Sequence, residues 1–303
     1  MDILGQPPVD IPACAGSANV TAPTPIPIAL CADDYALSAG VDDGILALAA
    51  AGRLSAVSCL AVMPRWPQAA RALAGFAAHV DLGLHFALTE FAPLGPMAHL
   101  APSGSFPSLA HLGALALAGR LDLDEIAAEF SRQYDSFVAS TGRPPDFVDG
   151  HHHVHQFPGI REIVAAQLGR RAGRPWVRNT ATPPGRILAR AVAMPRTAVL
   201  ALLGRSGRRA WRAVGLPTNA DFAGVRNFRE PAPYRRLFLR FIAGARPGLL
   251  VMCHPGAARD EEANSHEAAT RVGEFDYLRN PQCAIDLAMA GCRIVRLGEA
   301  VAR

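Results

Sequence analysis

The chain has 303 residues, of which 50% are hydrophobic and 18% charged, so it can bury one large core of the size of an α/β barrel. Its formal net charge is only +4, and all of its basic residues are arginines, which gives little support to nucleic-acid binding. No apolar run reaches the ~18 residues of a membrane span, and the N-terminus lacks signal-peptide features, so we expect a cytoplasmic protein without a transmembrane segment.

The order of apolar and polar segments predicts one domain after an N-terminal tail. Residues 1–25 are rich in Pro, Ala and small polar residues without periodicity, which is typical of a tail or arm. From 26 to 303, short β-rich runs alternate with helical patterns, as in repeated βα units around a parallel sheet. The predicted strands are Pro27–Ala32, Ala56–Val62, Val80–Leu84, Phe147–Val148, Trp176–Arg178, Gly248–Cys253 and Cys292–Arg296, and the predicted helices are Val41–Ala51, Trp66–Phe76 and Leu123–Ser140.

Polar side chains follow the ends of successive predicted strands. They are Asp33 and Asp34, His85, the run from Asp149 to His155, Arg178 and His254. The carboxyl ends of parallel strands converge on one mouth of a barrel, whereas in an open sheet they would spread along a line. The chain also lacks the glycine motifs of dinucleotide and Walker-type phosphate sites. These features predict an irregular or seven-stranded TIM-like (β/α) barrel.

Asp33 and Asp34 form the first candidate group. They directly follow an apolar strand, where a buried charge is costly unless it is paired or binds a metal. The alternative is a cap for the next helix, since Asp42 and Asp43 also lie near a helix start and Asp is a favoured cap. We favour a cation at this pair.

The run from His151 to His155 contains four of the ten histidines of the chain. In an extended segment, His151, His153 and His155 would share one face, with His152 opposed. One or two of these side chains could bind a metal, and the others would orient the ligands or contact substrate.

Two isolated histidines complete the candidate site. His85 ends the third predicted strand, where it is either a core residue or a ligand. His254 precedes Pro255 and Gly256, so it is either part of a structural turn or a general acid or base. One Asp and two His with open coordination positions can lower the pKa of a bound water and polarise a carbonyl oxygen.

The stretch from Arg186 to Arg212 interleaves arginines with apolar residues at helical spacing. We interpret it as a solvated helix face or a subunit contact, with a phosphate-binding or membrane-surface patch as the alternative. The apolar segment Ala198–Leu203 is the predicted contact of a homodimer.

Four motifs, taken in chain order, resemble those of the YdjC-like carbohydrate deacetylases, which include chitooligosaccharide deacetylases and relatives associated with hopanoid biosynthesis. They are Cys31–Tyr35, Gly83–Glu90, Val148–His155 and His254–Gly256. The resemblance implies a barrel of the polysaccharide-deacetylase type that removes N-acetyl groups from an amino sugar, oligosaccharide or glycoconjugate. Position by position, it implies that Asp33 is the catalytic base and His254 the acid. The implied ligands of one divalent metal ion are Asp34, His85 and His151.

Six further residues are candidates for supporting or substrate-binding roles: Asp149, His153, His155, Arg178, Glu90 and Tyr35. Imidazole ligands favour Zn²⁺, while the resemblance points as readily to Mg²⁺. Two positions depart from the family pattern, because Cys31 replaces an Asn and Tyr35-Ala36 replaces Phe-Gly. The expected partner is an N-acetylated saccharide or glycolipid. A metal-dependent phosphoesterase and a non-catalytic sugar-binding barrel are the alternative functions.

Overall fold

The structure is a computed structural model, and it describes residues 24–171, 173–227, 233–258 and 266–298. These residues form eight strands, which are β1 Ile26–Tyr35, β2 Ala56–Cys59, β3 Asp81–Phe86, β4 Phe147–Gly150, β5 Trp176–Val177, β6 Asp221–Ala223, β7 Leu249–Cys253 and β8 Cys292–Ile294. They also form ten α-helices, which are α1 Ala39–Ala50, α2 Trp66–Leu73, α3 Leu109–Leu117, α4 Leu123–Thr141, α5 Ile160–Gly169, α6 Pro184–Arg190, α7 Met194–Ala213, α8 Tyr234–Ile242, α9 His266–Arg279 and α10 Pro281–Met289.

All seven predicted strands are present, with ends that differ by a few residues. The strand that the sequence did not reveal is β6, because three residues are too few to show an alternating pattern. The arginine-rich stretch is helical, as its spacing indicated, and it forms α6 and most of α7. Residues 1–23 of the predicted tail lie outside the described residues. In the part of the chain that is described, no helix is long and apolar enough to cross a membrane.

The strands form one curled parallel sheet in the order β5-β4-β3-β2-β1-β7-β6. The long strand β1 organises it, because its ten residues pair with three other strands. Ile28 of β1 pairs with Leu249 on one side and Ile294 on the other, so β8 occupies the edge of β1 below β2. This arrangement places the carboxyl end of β1 at the centre of the mouth.

The two edges of the sheet meet through a side chain. Val177 of β5 forms an isolated parallel bridge with Thr218. One residue further on, the Oδ1 atom of Asn219 accepts from the backbone N–H of Asn179 at 2.6 Å, and its Nδ2 donates to the Asn179 carbonyl at 2.7 Å. The amide of Asn219 therefore takes the place of a backbone partner and links β5 to the segment before β6. The sheet is thereby an irregular (β/α) barrel, as the sequence predicted.

Replacing Asn219 with Ala should destabilise the barrel at this edge. The change leaves the buried N–H and carbonyl of Asn179 without their partners, and we expect a loss of about 2–4 kcal/mol in the free energy of unfolding. Asn219→Asp keeps an acceptor for the N–H but has no donor for the carbonyl, so it should be destabilised as well. Urea unfolding of both variants measures this, and an Ala variant as stable as the wild type would show that the amide does not hold the edge.

Candidate active site

A bulge at the end of β1 turns two adjacent carboxylates toward the same mouth. In a regular strand, Asp33 and Asp34 would point to opposite faces. Here the register against β2 shifts between Ala32 and Tyr35, and Asp34 has a φ of +68°. Both side chains are buried and both line the mouth cavity. The bulge therefore explains how two neighbouring residues can serve one site.

Asp34, His85 and His151 form a compact group of potential metal ligands. The Nε2 atom of His85 lies 3.4 Å and the Nδ1 atom of His151 3.1 Å from Oδ1 of Asp34. All three side chains are buried, and their ligand atoms lie within 4.8 Å of one another. One carboxylate and two imidazoles at this spacing suit a divalent ion with open coordination positions. The structure thus brings together the three residues that the motifs implied.

Each imidazole of the group has a carboxylate on its outer nitrogen. Asp149 Oδ1 lies 2.7 Å from Nδ1 of His85, and Glu90 Oε2 lies 3.0 Å from Nε2 of His151. If these outer nitrogens carry the protons, the inner Nε2 of His85 and Nδ1 of His151 present lone pairs to a metal. Burial lowers the pKa of His85, but Asp149 outweighs it and raises that pKa to about 10, so an ion that binds at Nε2 would displace a proton from the ring. The contacts of Glu90 and Asp149 therefore fit supporting roles.

An arginine from helix α9 holds the outer oxygen of Asp34. The guanidinium of Arg271 donates to Oδ2 at 2.7 Å, which leaves Oδ1 facing the two histidines. Burial raises the pKa of Asp34, but Arg271 and the histidine contacts hold it well below its usual range. Asp34 is thus kept as an anion. No local motif in the sequence marks Arg271, and only the packing of α9 brings it to the mouth.

The histidine run is a turn, so the predicted extended segment was wrong. Residues His151–Gln156 form a 3₁₀ turn in which His152 and His153 have φ values of +54° and +60°. Gly150 makes the turn feasible, because a Cβ there would lie 2.9 Å from Nδ1 of His155. Alternation therefore does not decide which of these histidines face the metal group.

The other histidines of the run have separate surroundings. Nδ1 of His152 lies 3.0 Å from the Thr89 hydroxyl. His153 lines the cavity, and its ring lies edge-on to that of Phe222. Nε2 of His155 lies 2.9 Å from the carbonyl oxygen of Arg178, which requires an N–H on this nitrogen, and the ring stacks on Trp211. His155 therefore supports the backbone that carries Arg178.

Asp33 is held by Arg178, one of the residues predicted to have a supporting or substrate-binding role. Both terminal nitrogens of Arg178 donate to the Asp33 carboxylate at 2.5 Å, and Nη2 also lies 2.6 Å from Oδ2 of Asp149. Ser58 donates to the other oxygen of Asp149 at 2.5 Å. Cys31, the residue at the position of the family's Asn, lies 3.1 Å from Nη2 of Arg178. Arg178 and Asp149 thereby connect the metal group to Asp33.

His254 completes the row of polar groups. Its Nε2 lies 3.9 Å from Oδ2 of Asp33, and its backbone N–H donates to Glu274 of α9 at 2.6 Å. Glu274 is buried and also accepts from Arg226 at 2.9 Å. Burial lowers the pKa of His254 to about 4, so its imidazole is neutral at neutral pH. Glu274 is a second residue of α9 that the sequence did not reveal.

These groups face a cavity of about 1050 Å³. Phe91 lies on its wall, with its ring 5.1 Å from that of His151. The aromatic residues singled out in the motifs and strands are buried, and none of them lines the cavity: Tyr35, Trp66, Phe86 and Trp176. The Tyr35 hydroxyl donates to the Ala69 carbonyl, which is a supporting contact between β1 and α2. Arg196, Arg226 and Arg271 add positive charge to the cavity wall.

The parallel barrel thus carries at its mouth an Asp-His-His group that could hold a divalent metal ion. A model of the YdjC-like protein family matches residues 27–289. A chitooligosaccharide deacetylase of Serratia marcescens is 31% identical over 272 residues, which cover 86% of this chain and 93% of that protein. The chain belongs to the YdjC-like family, and the resemblance that its four motifs indicated is confirmed.

Two further comparisons agree with this assignment. A chitooligosaccharide deacetylase of Enterobacter sp. (strain 638) is 28% identical over 268 residues, covering 87% of this chain and 94% of that protein. A crystal structure from Enterococcus faecalis V583, provisionally assigned to cellobiose-phosphate cleavage, has a TM-score of 0.71 and 19% identity, covering 91% of this chain and 98% of that one. At this identity the second comparison supports the fold alone.

Substitutions of the adjacent carboxylates should separate metal binding from turnover. Asp34→Ala removes a ligand, so we expect loss of both metal and activity. Asp33→Asn leaves the three ligands in place but cannot accept a proton, so metal content should be retained while turnover falls about 100-fold or more. Elemental analysis with turnover assays tests the pair, and normal metal content in Asp34→Ala would show that the ligand assignment is wrong.

The buried, neutral His155 should make stability depend on pH. Burial lowers its pKa to about 4, below the ordinary value of about 6.5. As the pH falls, the unfolded chain takes up this proton before the folded protein does, so the free energy of unfolding falls between about pH 7 and pH 4. By pH 5 this loss is about 2 kcal/mol. His155→Gln can still donate to the Arg178 carbonyl but cannot titrate. Its free energy of unfolding should therefore fall less from pH 8 to pH 5, and an equal fall would contradict this account.

Proposed function

We propose that this protein is a divalent-metal-dependent carbohydrate N-deacetylase, which hydrolyses the acetyl amide of an amino sugar, oligosaccharide or glycoconjugate. The carrying observation is the buried group of Asp34, His85 and His151 beside the paired Asp33, all facing one large cavity. The relatives named chitooligosaccharide deacetylase, which align along most of the chain, support the reaction and the substrate class.

The proposed mechanism divides the labour among the side chains. Asp34, His85 and His151 would hold a divalent ion, which when bound would supply the Lewis acidity that polarises an acetyl carbonyl and lowers the pKa of a water. Asp33 accepts the proton of the attacking water, and two hydrogen bonds from Arg178 orient this carboxylate. As the amide C–N bond breaks, the departing nitrogen takes up that proton.

His254 is the group proposed to deliver this proton. Because its imidazole is neutral at neutral pH, it must receive a proton before it can donate one. Asp33 is 3.9 Å away, so the proton taken from water can pass through His254 to the leaving amine. The contact of its backbone with Glu274 holds the ring at the wall of the cavity.

The proposal extends to the identity of the metal ion and the size of the substrate. Two imidazole nitrogens and one carboxylate favour Zn²⁺, whereas Mg²⁺ prefers oxygen ligands, so we propose Zn²⁺ with Mg²⁺ as the alternative. A cavity of about 1050 Å³ is at the upper end for small-molecule sites, which favours an N-acetylated oligosaccharide or the head group of a glycolipid over a single sugar.

Location and assembly are proposed from the cysteines and from the exposure of apolar side chains. Five cysteines of the described residues are free and buried, which supports the proposed cytoplasmic location, a reducing compartment. A homodimer through Ala198–Leu203 would bury the exposed Val199 and Leu202, and it is the alternative use of that surface.

A metal-dependent phosphoesterase is the second candidate, because three arginines line the cavity: Arg196, Arg226 and Arg271. Two of them are engaged with carboxylates, Arg226 with Glu274 and Arg271 with Asp34. This pairing weakens their attraction for a phosphate and favours the amidase.

Acetate release tests the proposed reaction. Wild-type protein loaded with Zn²⁺ or Mg²⁺ should release acetate from N-acetylated di- and oligosaccharides, and chelation should abolish the release because the ligands act through the ion. Asp33→Asn is the matched control for background hydrolysis. Phosphate release from sugar phosphates without any acetate release would decide for the phosphoesterase, and saccharide binding without either product at full metal occupancy would decide for a binding protein.

A further inference from the structure

One long segment of the chain has positive charge and no negative charge. From residue 163 to 220 the sequence contains eleven arginines and neither Asp nor Glu. The segment includes α6 and α7, which pack against each other. Its partnered arginines use carboxylates from elsewhere, as when Arg186 and Arg190 pair with Asp221. Three of the others, Arg205, Arg209 and Arg212, pair with no carboxylate in the described part of the chain.

The solvent side of α7 has an apolar half and a cationic half. In the first half, Met194, Val199 and Leu202 are 42%, 58% and 61% exposed. Three and seven residues after Leu202, the same side continues with Arg205 and Arg209, and Arg212 follows. These six residues are called the α7 face. Leu188 of the neighbouring α6 is 69% exposed and adds to its apolar end.

The cations of the α7 face lack a carboxylate partner among the residues that the structure describes. Arg205, Arg209 and Arg212 form no ion pair or hydrogen bond with any residue that the structure describes. Arg208, on the neighbouring side of the helix, instead donates to the Ala220 carbonyl. The free charges are therefore confined to the surface that also exposes apolar side chains.

The α7 face begins at the rim of the active site. Arg196, two residues after Met194, lines the mouth cavity. Gly204 lets the helix lie directly on the end of β5, because a Cβ there would come 2.3 Å from the backbone nitrogen of Ala181. A partner bound to the α7 face is thus held beside the opening through which substrate enters.

The chemistry of the α7 face favours one occupant. In a twofold dimer built on it, parallel α7 helices would bring the arginines of both copies together, and antiparallel ones would bury only the apolar half and leave Arg205 and Arg209 outside the contact. An acidic protein surface would neutralise the arginines, but its charged groups would not account for the exposed apolar side chains of the other half. Exposed apolar side chains next to unpaired arginines on one helix are the combination that binds a lipid surface with anionic headgroups.

We propose that the α7 face docks this protein on membranes that contain anionic phospholipids. The apolar half enters the interface, the arginines contact headgroup phosphates, and the mouth is held at headgroup level. Vesicle binding requires no turnover, so this inference and the proposed deacetylase activity can fail independently.

Vesicle co-sedimentation of the full chain tests the docking. Vesicles of phosphatidylcholine with about 30% phosphatidylglycerol should bind the wild type, and phosphatidylcholine alone should bind it at least about 25-fold less. This expectation takes each arginine near an anionic surface to contribute about fivefold. Arg205→Glu with Arg209→Glu, and separately Val199→Glu with Leu202→Glu, should each weaken binding by about tenfold or more.

Two matched pairs separate the α7 face from general changes in charge and polarity. Arg71→Glu with Arg246→Glu alters net charge equally, and Leu117→Glu with Met289→Glu replaces apolar residues that are 78% and 82% exposed. Both pairs should bind the anionic vesicles like the wild type, and thermal unfolding should show that all variants fold. Wild-type protein that binds neither vesicle, or both equally, would overturn the proposal. The proposal would also be overturned if light scattering showed that the wild type is a dimer and that Val199→Glu with Leu202→Glu converts it to a monomer.

Discussion

The burial of two adjacent carboxylates at the end of β1 is the constraint on which the rest of the site depends. A regular strand would send one of them to each face, and the bulge with its left-handed Asp34 sends both to the mouth. Two such anions out of water are costly unless each is compensated. Arg178 compensates Asp33 from β5, and Arg271 compensates Asp34 from α9 while leaving one oxygen to the metal group.

The compensating residues form a continuous network rather than separate pairs. Arg178 contacts both Asp33 and Asp149, and Asp149 in turn holds the outer nitrogen of His85. The residue proposed as base and a proposed metal ligand are therefore positioned by the same ion pair. His155 supports the backbone of Arg178, so even a histidine outside the ligand group bears on the geometry of Asp33. We expect a substitution of any one of these residues to shift the position or the protonation of the others, because a buried charge that has lost its partner must move or become neutral.

Helices α7 and α9 give the mouth its two walls, with different consequences. Helix α9 supplies Arg271 and Glu274, which hold the ligand Asp34 and the backbone of His254. Helix α7 supplies Arg196 to the cavity, and on its outer side it exposes the α7 face. The proposed chemistry and the proposed access of substrate thus depend on two different helices of one barrel, in which loops and helices vary around a common set of strand ends.

The sequence alone determined the alternation of strands and helices, and through it the convergence of Asp33, Asp34, His85, His151 and His254 on one mouth. This was possible because apolar periodicity and the position of a residue at a strand end can be read locally in the sequence. In a parallel barrel the carboxyl ends of the strands lie together, so residues at these ends are close in space. Only the tertiary structure decided that the histidine run is a turn, that Asn219 joins the sheet edges, and that Arg271 and Glu274 belong to the site. The reason is physical: these features come from packing between residues far apart in the chain, and such contacts leave no spacing pattern in the sequence around them.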